Sequence, residues 1–226
     1  MTTDLIFVIL RHNYNLPFNF MPHIIIGLGN PGEEYSETRH NTGRIILESF
    51  RKDQKFPEWE ENPKLKSLAS EGKIGKERVV LLMPETFMNK SGEAVGKIKD
   101  LKFKVKDKKK EVSNLVVVHD ELDIPFGKFK ISFNKSSGGH KGVESVMKAL
   151  KTEGFVRVRV GISPANAKGA VKKPQGEEAV GDFILGKFKK GELEGLKKIS
   201  KKTSEAIAMI VAEGRGEAMG KFNSQK

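Results

Sequence analysis

Hydrophobic and polar residues follow one another along the chain in patterns that predict strands and helices in turn. Apolar runs closed by glycine, proline or a charged residue predict buried strands, and a polar–apolar period of two predicts half-exposed ones. The predicted strands cover residues 24–26, 78–84, 114–120, 127–133 and 155–162. Apolar stripes at helical spacing predict helices. The predicted helices cover residues 41–51, 92–101, 143–150 and 190–213.

The alternation of strands and helices, without an internal repeat, indicates one α/β domain. We expect a single-domain three-layer sandwich, in which helices flank a mixed, mostly parallel twisted sheet. A chain of 226 residues is long enough to bury one sizeable core. Its 37% hydrophobic and 31% charged residues exclude disordered and fibrous proteins. No apolar run reaches the roughly 18 residues of a membrane span.

The first 21 residues differ from the rest of the chain. Their apolar run, residues 5–10, follows Asp4 instead of basic residues, which makes a poor secretory signal. A second methionine, Met21, stands just before the first predicted strand. We therefore predict that residues 1–21 are an N-terminal extension outside the fold, and that residues 22–226 form the α/β domain.

The net charge of the chain indicates which kind of molecule it binds. The chain has 41 Lys and Arg residues against 29 Asp and Glu residues, a net charge of +12. Such an excess favours a polyanionic partner, because basic side chains release counterions from phosphates, although charge alone does not exclude a merely basic soluble protein. The chain has no cysteine, which rules out disulfides, thiolate metal sites and a cysteine nucleophile. A chain without cysteine suits a reducing compartment, and we expect a cytoplasmic protein.

The glycine-rich segment 27–32 matches the pattern G-x-G-x-x-G of dinucleotide-binding proteins. That motif should open a helix whose free N–H groups hold a pyrophosphate. Here Pro31 removes one N–H group, and Glu33 and Glu34 would repel the phosphates. An oxidoreductase that uses a dinucleotide is therefore the weakest of the functional hypotheses.

A histidine and an aspartate are the candidate catalytic pair. His40 lies at the start of a predicted helix, where the helix dipole should keep the imidazole neutral and basic. Asp120 ends a buried strand, where α/β folds place their sites, and a carboxylate there could stabilise a protonated histidine. Both residues also have plain structural interpretations, as a helix cap and as a turn former. No two of the five histidines have the i, i+4 spacing of a zinc helix, so we expect no metal.

Two loops that run into predicted helices add further candidates. The first has the sequence PETFMNKSGEAV and places Asn89, an amide donor and acceptor, in a tight turn. The second has the sequence NKSSGGHKGVESV and runs into a helix near Gly142 without an acidic residue before it. Bare N–H groups at such a helix start form an anion site. Each segment could also be a plain flexible loop.

The chain resembles bacterial-type peptidyl-tRNA hydrolases in several long motifs that occur in the order of that family. These motifs are IIIGLGNPGEEYSETRHNTG, MPETFMNKSG, VVVHDELDIPFGKFKI, SSGGHKGVESV, FVRVRVGI and AMGKFN. They cover essentially all of residues 23–223. The resemblance implies hydrolysis of the ester between a peptide and the 3′ end of tRNA, without a cofactor, by a protein that we expect to be a monomer.

The resemblance also implies roles for individual residues. His40 matches the base that activates a water molecule, and Asp120 matches the carboxylate that stabilises this base. Asn30 matches an amide that contacts the peptide. The remaining matches are Tyr35, Phe87 and Asn89 for the 3′ end of the substrate, and Lys130 and Arg159 for the 5′ phosphate.

One position departs from the family pattern. After the Gly-Gly-His sequence the family usually has asparagine, and this chain has Lys141. A lysine cannot accept a hydrogen bond, so it cannot position a water molecule as an amide would. It could bind a substrate phosphate instead. This departure leaves open a second hypothesis, a catalytically weakened tRNA- or RNA-binding relative. His140, which precedes it, is compatible with a structural or a functional role.

Overall fold

The structure is a computed structural model that describes residues 21–98, 105–106 and 111–224. Within these residues the strands are β1 (His23–Gly27), β2 (Glu60–Asn62), β3 (Ser67–Ile74), β4 (Glu77–Pro84), β5 (Val105–Lys106), β6 (Glu111–Val112), β7 (Leu115–Pro125), β8 (Phe129–Phe133) and β9 (Val156–Ser163). The α-helices are α1 (Thr42–Asp53), α2 (Ser91–Ile98), α3 (Lys141–Leu150), α4 (Glu177–Leu185), α5 (Lys190–Ala212) and α6 (Arg215–Asn223). Short 3₁₀ turns cover Glu33–Tyr35, Arg39–Asn41 and Met88–Lys90.

Seven of the strands form one mixed sheet in the order β2-β3-β4-β1-β7-β9-β8, which confirms the predicted α/β class. The four central strands β4, β1, β7 and β9 are parallel to one another. The outer pairings β2–β3, β3–β4 and β8–β9 are antiparallel. The expectation of a mostly parallel sheet therefore holds for its centre only. The reason is local for β3 and β4, since the two residues between them can join only antiparallel strands.

Helices cover both faces of the sheet, as the predicted three-layer sandwich requires. On one face, Val116 and Val118 of β7 belong to a core cluster with residues of α1, α5 and α6. On the other face, Leu115 and Val117 belong to a cluster with residues of α2 and α3. Because successive side chains of a strand point to opposite faces, β7 contributes to both cores.

Close backbone contacts place α1 directly over the ends of the central strands. A Cβ atom at Gly43, in the first turn of α1, would clash with the carbonyl oxygens of Leu28 and Val118. A Cβ atom at Gly27 would lie 2.6 Å from the Gly43 carbonyl oxygen. Only glycines permit this approach, and it brings His40, just before α1, to the carboxyl edge of the sheet.

Six of the described strands and helices were not predicted from the sequence: β2, β3, β5, β6, α4 and α6. No residue of α4 is fully buried, so this helix needs no apolar stripe. The sequence of α6, RGEAMGKFN, has glycines and only two buried residues, Ala218 and Phe222. The predicted helix 92–101 is observed as α2, and its last three residues lie outside the described residues.

The predicted N-terminal extension, residues 1–21, lies outside the described residues except for Met21, and it stays a prediction. Among the described helices, none combines the length and the apolar character that crossing a bilayer would require.

Candidate active site

Several segments that follow the central strands meet at the carboxyl edge of the sheet and line one cavity of about 520 Å³. This is the edge at which parallel α/β sheets bind their ligands. The cavity is lined by Asn30, His40, Phe87, Met88, Asn89, Lys90, Lys141, Ile184 and Leu185. Asp120 lies directly behind His40. It does not end the strand as predicted, because β7 continues to Pro125, but it lies two residues past Val118, the last residue of β7 that pairs with β1. The predicted catalytic pair and four of the predicted substrate-binding residues therefore lie together.

His40 and Asp120 form a buried hydrogen-bonded pair. His40 Nδ1 lies 3.0 Å from Asp120 Oδ1 and 3.1 Å from Oδ2. A carboxylate can only accept, so Nδ1 carries the hydrogen in this pair, and Nε2 has a free lone pair. The pair thus has the tautomer that a general base needs.

Asp120 also controls the protonation of His40. Burial lowers the pKa of His40, but the charge of Asp120 and its hydrogen bond together raise that pKa above its ordinary value of 6.5. The effect of Asp120 on this pKa is therefore larger than that of the helix start, which was expected to keep the imidazole neutral. Burial alone would raise the pKa of Asp120, and the neighbouring imidazoles His40 and His140 instead hold it well below its usual range. Asp120 is therefore an ionised carboxylate at neutral pH.

His140 is the second imidazole on Asp120. Its Nε2 lies 2.9 Å from Asp120 Oδ1. Its Nδ1 accepts a hydrogen bond from the Val143 backbone N–H at 3.3 Å and so caps α3. Because Nδ1 accepts, the hydrogen must lie on Nε2, which donates it to the carboxylate. The sequence left the role of His140 open, and the structure places it on the carboxylate that supports His40.

The cluster of His40, Asp120 and His140 also has the composition of a metal site, since its nitrogen and oxygen atoms lie within 4.8 Å of one another. In the observed arrangement, however, both imidazoles direct N–H groups at the carboxylate. A metal ion needs the lone pairs of those nitrogens, so both rings would have to change tautomer or turn. The cluster as it stands is a hydrogen-bonded network, and the expectation of no metal stays a prediction.

Asn30 is held in place from three sides. Its side-chain oxygen Oδ1 accepts a hydrogen bond from the Met88 backbone N–H at 2.8 Å. Its backbone N–H donates to Asn41 Oδ1 at 2.8 Å, and its carbonyl accepts from Asn41 Nδ2 at 2.9 Å. With Oδ1 occupied, the Nδ2 hydrogens remain as donors at the cavity wall. Asn41 was not singled out from the sequence, although it directly follows His40.

Exposed apolar side chains face the cavity from two elements. Phe87 is 55% exposed and Leu185 is 49% exposed, although both are large hydrophobic residues. Tyr35 does not line the cavity, but its ring lies edge-on to Phe87 at a centroid distance of 6.4 Å. Exposed aromatic rings of this kind offer a stacking surface for a base or an apolar side chain.

Arg39 holds α4 beside the His40–Asp120 pair, and the sequence analysis did not single it out. Its Nη2 donates to both carboxylate oxygens of Glu192, at 3.1 and 2.8 Å. Its Nη1 donates to the carbonyl oxygens of Gly186 and Lys187 at 3.2 and 3.1 Å. These contacts tie the end of α4, which bears Leu185, to the turn that bears His40.

Lys130 and Arg159 lie side by side on a part of the sheet outside the cavity. They are directly paired across β8 and β9, so their side chains share one face. Arg159 Nε donates to Glu121 Oε2 at 2.8 Å, and Nη1 donates to Ser132 Oγ at 3.3 Å. Lys130 is exposed. The structure thus brings the two predicted phosphate ligands together, and it identifies Glu121 as the residue that orients Arg159.

The glycine-rich segment 27–32 does not open a helix. Gly32 has a φ of 103° and is followed by the 3₁₀ turn Glu33–Tyr35, and the first described α-helix begins only at Thr42. The helix N-terminus that would hold a pyrophosphate is therefore missing from this segment, which argues against the dinucleotide hypothesis.

Comparison with known proteins shows the family to which the chain belongs. A family model described as "Peptidyl-tRNA hydrolase" matches residues 24–226. The chain belongs to the peptidyl-tRNA hydrolase family. A peptidyl-tRNA hydrolase of Clostridium botulinum is 36% identical over 204 residues, which cover 90% of this chain and 98% of the relative. One of Fervidobacterium nodosum is 39% identical over 201 residues, or 89% and 96% of the two chains.

A solved structure of a family member supports the same assignment. The crystal structure of peptidyl-tRNA hydrolase from Acinetobacter baumannii matches with a TM-score of 0.76 at 27% identity, covering 92% of this chain and 97% of that one. The resemblance drawn from the sequence motifs is thereby confirmed.

Proposed function

We propose that this protein hydrolyses the ester bond that links a peptide, or an N-blocked amino acid, to the 3′ end of tRNA, with His40 as the base that activates water. Membership of the peptidyl-tRNA hydrolase family supplies the reaction. The observation that carries the mechanism is the buried His40–Asp120 pair, with its free Nε2 at the wall of the cavity.

The reaction proceeds by proton transfer through His40. Nε2 takes a proton from a water molecule as its oxygen attacks the ester carbonyl, and Asp120 stabilises the imidazolium that forms. The imidazolium then gives the proton to the departing ribose oxygen. The products are a peptide with a free carboxyl group and a tRNA with a free ribose hydroxyl. Asn89, at the cavity wall, is suited to donate a hydrogen bond to the oxyanion.

The remaining candidates act in recognition. The Nδ2 donors of Asn30 suit a peptide carbonyl, and the edge-on pair of Tyr35 and Phe87 suits the base of the terminal nucleotide. Lys130 and Arg159 suit the 5′ phosphate, because two cations on one sheet face match a doubly charged group.

A catalytically weakened tRNA-binding relative is the second candidate, and Lys141 is the observation that favours it. The position usually carries an amide in the family, and a lysine cannot replace its acceptor. The presence of His40, Asp120, Asn30 and Asn89 around one site favours the enzyme.

The test is cleavage of an N-acetylated aminoacyl-tRNA beside its free-amine counterpart. We expect the protein to cleave the blocked substrate and to leave the free-amine substrate intact.

The mechanism is tested by His40→Ala, which should lower the rate by roughly 10²–10⁴-fold, the usual contribution of a positioned base, without loss of tRNA binding. The matched control is His23→Ala, because His23 lies at the opposite end of β1. Near-normal turnover by His40→Ala would refute the mechanism. Binding of tRNA without any release by the unaltered protein would favour the second candidate.

A further inference from the structure

Two lysines, Lys90 and Lys141, lie in the wall of the same cavity as His40. Lys90 ends the 3₁₀ turn that leads into α2, and Lys141 is the first residue of α3. The two helices are fastened together at these ends, because the Gly92 backbone N–H donates to Ser145 Oγ at 2.9 Å. A Cβ atom at Gly92 would clash with the Ser145 carbonyl. The lysines therefore extend from a rigid support.

No hydrogen bond or ion pair neutralises these lysines within the described part of the chain, although Lys90 attracts the nearby Glu93 carboxylate. Neither ammonium group has a hydrogen-bonding or ion-pair partner there. Glu93, the carboxylate beside Lys90, accepts from Lys66 Nζ at 2.6 Å. The residues that line the cavity include no carboxylate, and Asp120 behind them is already bound by two imidazoles.

Both lysines are exposed, and their positions favour binding of an anion. Each lysine lies at the start of a helix, where the partial positive charge of the helix dipole repels a cation. The two like charges in one cavity also repel each other. Binding of an anion between them would reduce both penalties.

We propose that Lys90 and Lys141 form a phosphate subsite that binds the phosphodiester next to the terminal nucleotide of the substrate. This inference rests on the proposed function, which places the ester at His40 in the same cavity. The anion nearest to an ester on a 3′-terminal ribose is the phosphodiester that joins this nucleotide to the preceding one. The subsite is separate from Lys130 and Arg159, which do not line the cavity.

The test uses two small ester substrates that differ by one phosphate. One is N-acetylaminoacyl-adenosine, and the other is the same ester on the dinucleotide cytidylyl-adenosine. The variant is the double substitution Lys90→Gln and Lys141→Gln, which removes both charges but keeps long polar side chains. The matched control is Lys97→Gln with Lys148→Gln, since these exposed lysines lie at the far ends of α2 and α3 and outside the cavity.

The measured quantity is the ratio of kcat/KM for the dinucleotide ester to kcat/KM for the adenosine ester. We expect the double variant to lower this ratio about tenfold, mainly through KM, because charge-assisted contacts to one phosphate are lost. The salt dependence of dinucleotide binding should fall by about 0.7 in logarithmic slope, the contribution of one single-stranded phosphate. The control variant should keep the ratio of the unaltered protein.

Three results would overturn the subsite. The first is an unchanged ratio in the double variant. The second is an equal loss on both esters, which would place the lysines in the chemistry. The third is a gain in turnover on both esters by Lys141→Asn, which would show that the lysine weakens an amide-dependent step. The proposed function itself fails if the unaltered protein does not cleave the N-acetylated aminoacyl-tRNA. Calorimetric binding of cytidylyl-adenosine to the unaltered protein and the double variant then still tests the subsite.

Discussion

Replacing Asp120 by asparagine removes one charge from the centre of the site and keeps its shape. The carboxylate accepts from His40 Nδ1 through both oxygens and from His140 Nε2 through Oδ1. An amide has only one oxygen, so its NH₂ group must face one of these imidazoles. If that group faces His40, it can bond only to the tautomer that carries its hydrogen on Nε2, which cannot act as a base.

The expected loss follows from the contact that is removed. A hydrogen bond to a charged group contributes about 1.5–3 kcal/mol. At about 1.4 kcal/mol per factor of ten, kcat of Asp120→Asn should fall by roughly 10- to 150-fold. This loss is smaller than that of His40→Ala, because the base itself remains.

The pH dependence of kcat provides a second test of Asp120→Asn. Asp120 raises the pKa of His40, whereas burial lowers it. Without the charge, burial acts alone, and the pKa of His40 falls. The base is active when it is unprotonated, so the acid limb of the kcat profile should move to lower pH while the plateau falls.

The assay is kcat for an N-acetylated aminoacyl-tRNA at saturating concentration, from about pH 5 to pH 9. Asp123→Asn is the matched control, since Asp123 is in the same strand as Asp120, three residues later. Its carboxylate accepts a hydrogen bond from the Nζ of the exposed Lys173 at 2.6 Å. An acid limb that moves to higher pH would refute the electrostatic reasoning. A profile identical to that of the unaltered protein would remove Asp120 from the mechanism.

Two further predictions concern other parts of the molecule. Replacing both Lys130 and Arg159 by alanine should flatten the logarithmic salt dependence of tRNA binding by about two units if each contacts a phosphate, and an unchanged slope would contradict this role. Burial raises the pKa of Glu71 to about 7. Between pH 4.5 and about 7 this carboxyl group is therefore ionised only in the unfolded chain, and the folded state loses stability as the pH rises. Glu71→Gln should increase the free energy of unfolding by about 1 kcal/mol at pH 8, after allowance for partial exposure, but not near pH 4, as measured by denaturant titration at both pH values.

The parts of the site that local patterns determine could be predicted from the sequence. The apolar run before Asp120 and the amphipathic helix after His40 predict that both residues lie at the carboxyl edge of an α/β sheet, although β7 continues past Asp120 to Pro125. The contact of His140 with Asp120 could not be predicted, because it depends on how a loop from the opposite face packs against β7. The same holds for the ion pair of Arg39 with Glu192, which are 153 positions apart.

The role of the final motif, AMGKFN, likewise could not be predicted from local sequence patterns. From the sequence it was only a family resemblance. In the structure, Asn223 Oδ1 accepts from the Ile131 backbone N–H at 2.9 Å, and Asn223 Nδ2 donates to the Ile131 carbonyl at 2.8 Å. The side chain thus pairs with the exposed backbone of β8, the edge strand, as a further strand would. No pattern of hydrophobic residues encodes such a contact.

Neighbouring positions of β7 connect the two ends of the proposed substrate. Asp120 supports His40 from the face of the sheet that carries α1, and Glu121, on the opposite face, orients Arg159. The separation between the proposed catalytic base and the proposed ligand of the 5′ phosphate is therefore determined by the central strands β7 and β9. Strands in the middle of a sheet open only with much of the fold, whereas loops move easily. A fixed separation suits a substrate whose 5′ phosphate and 3′ ester lie at the same end of one base-paired stem.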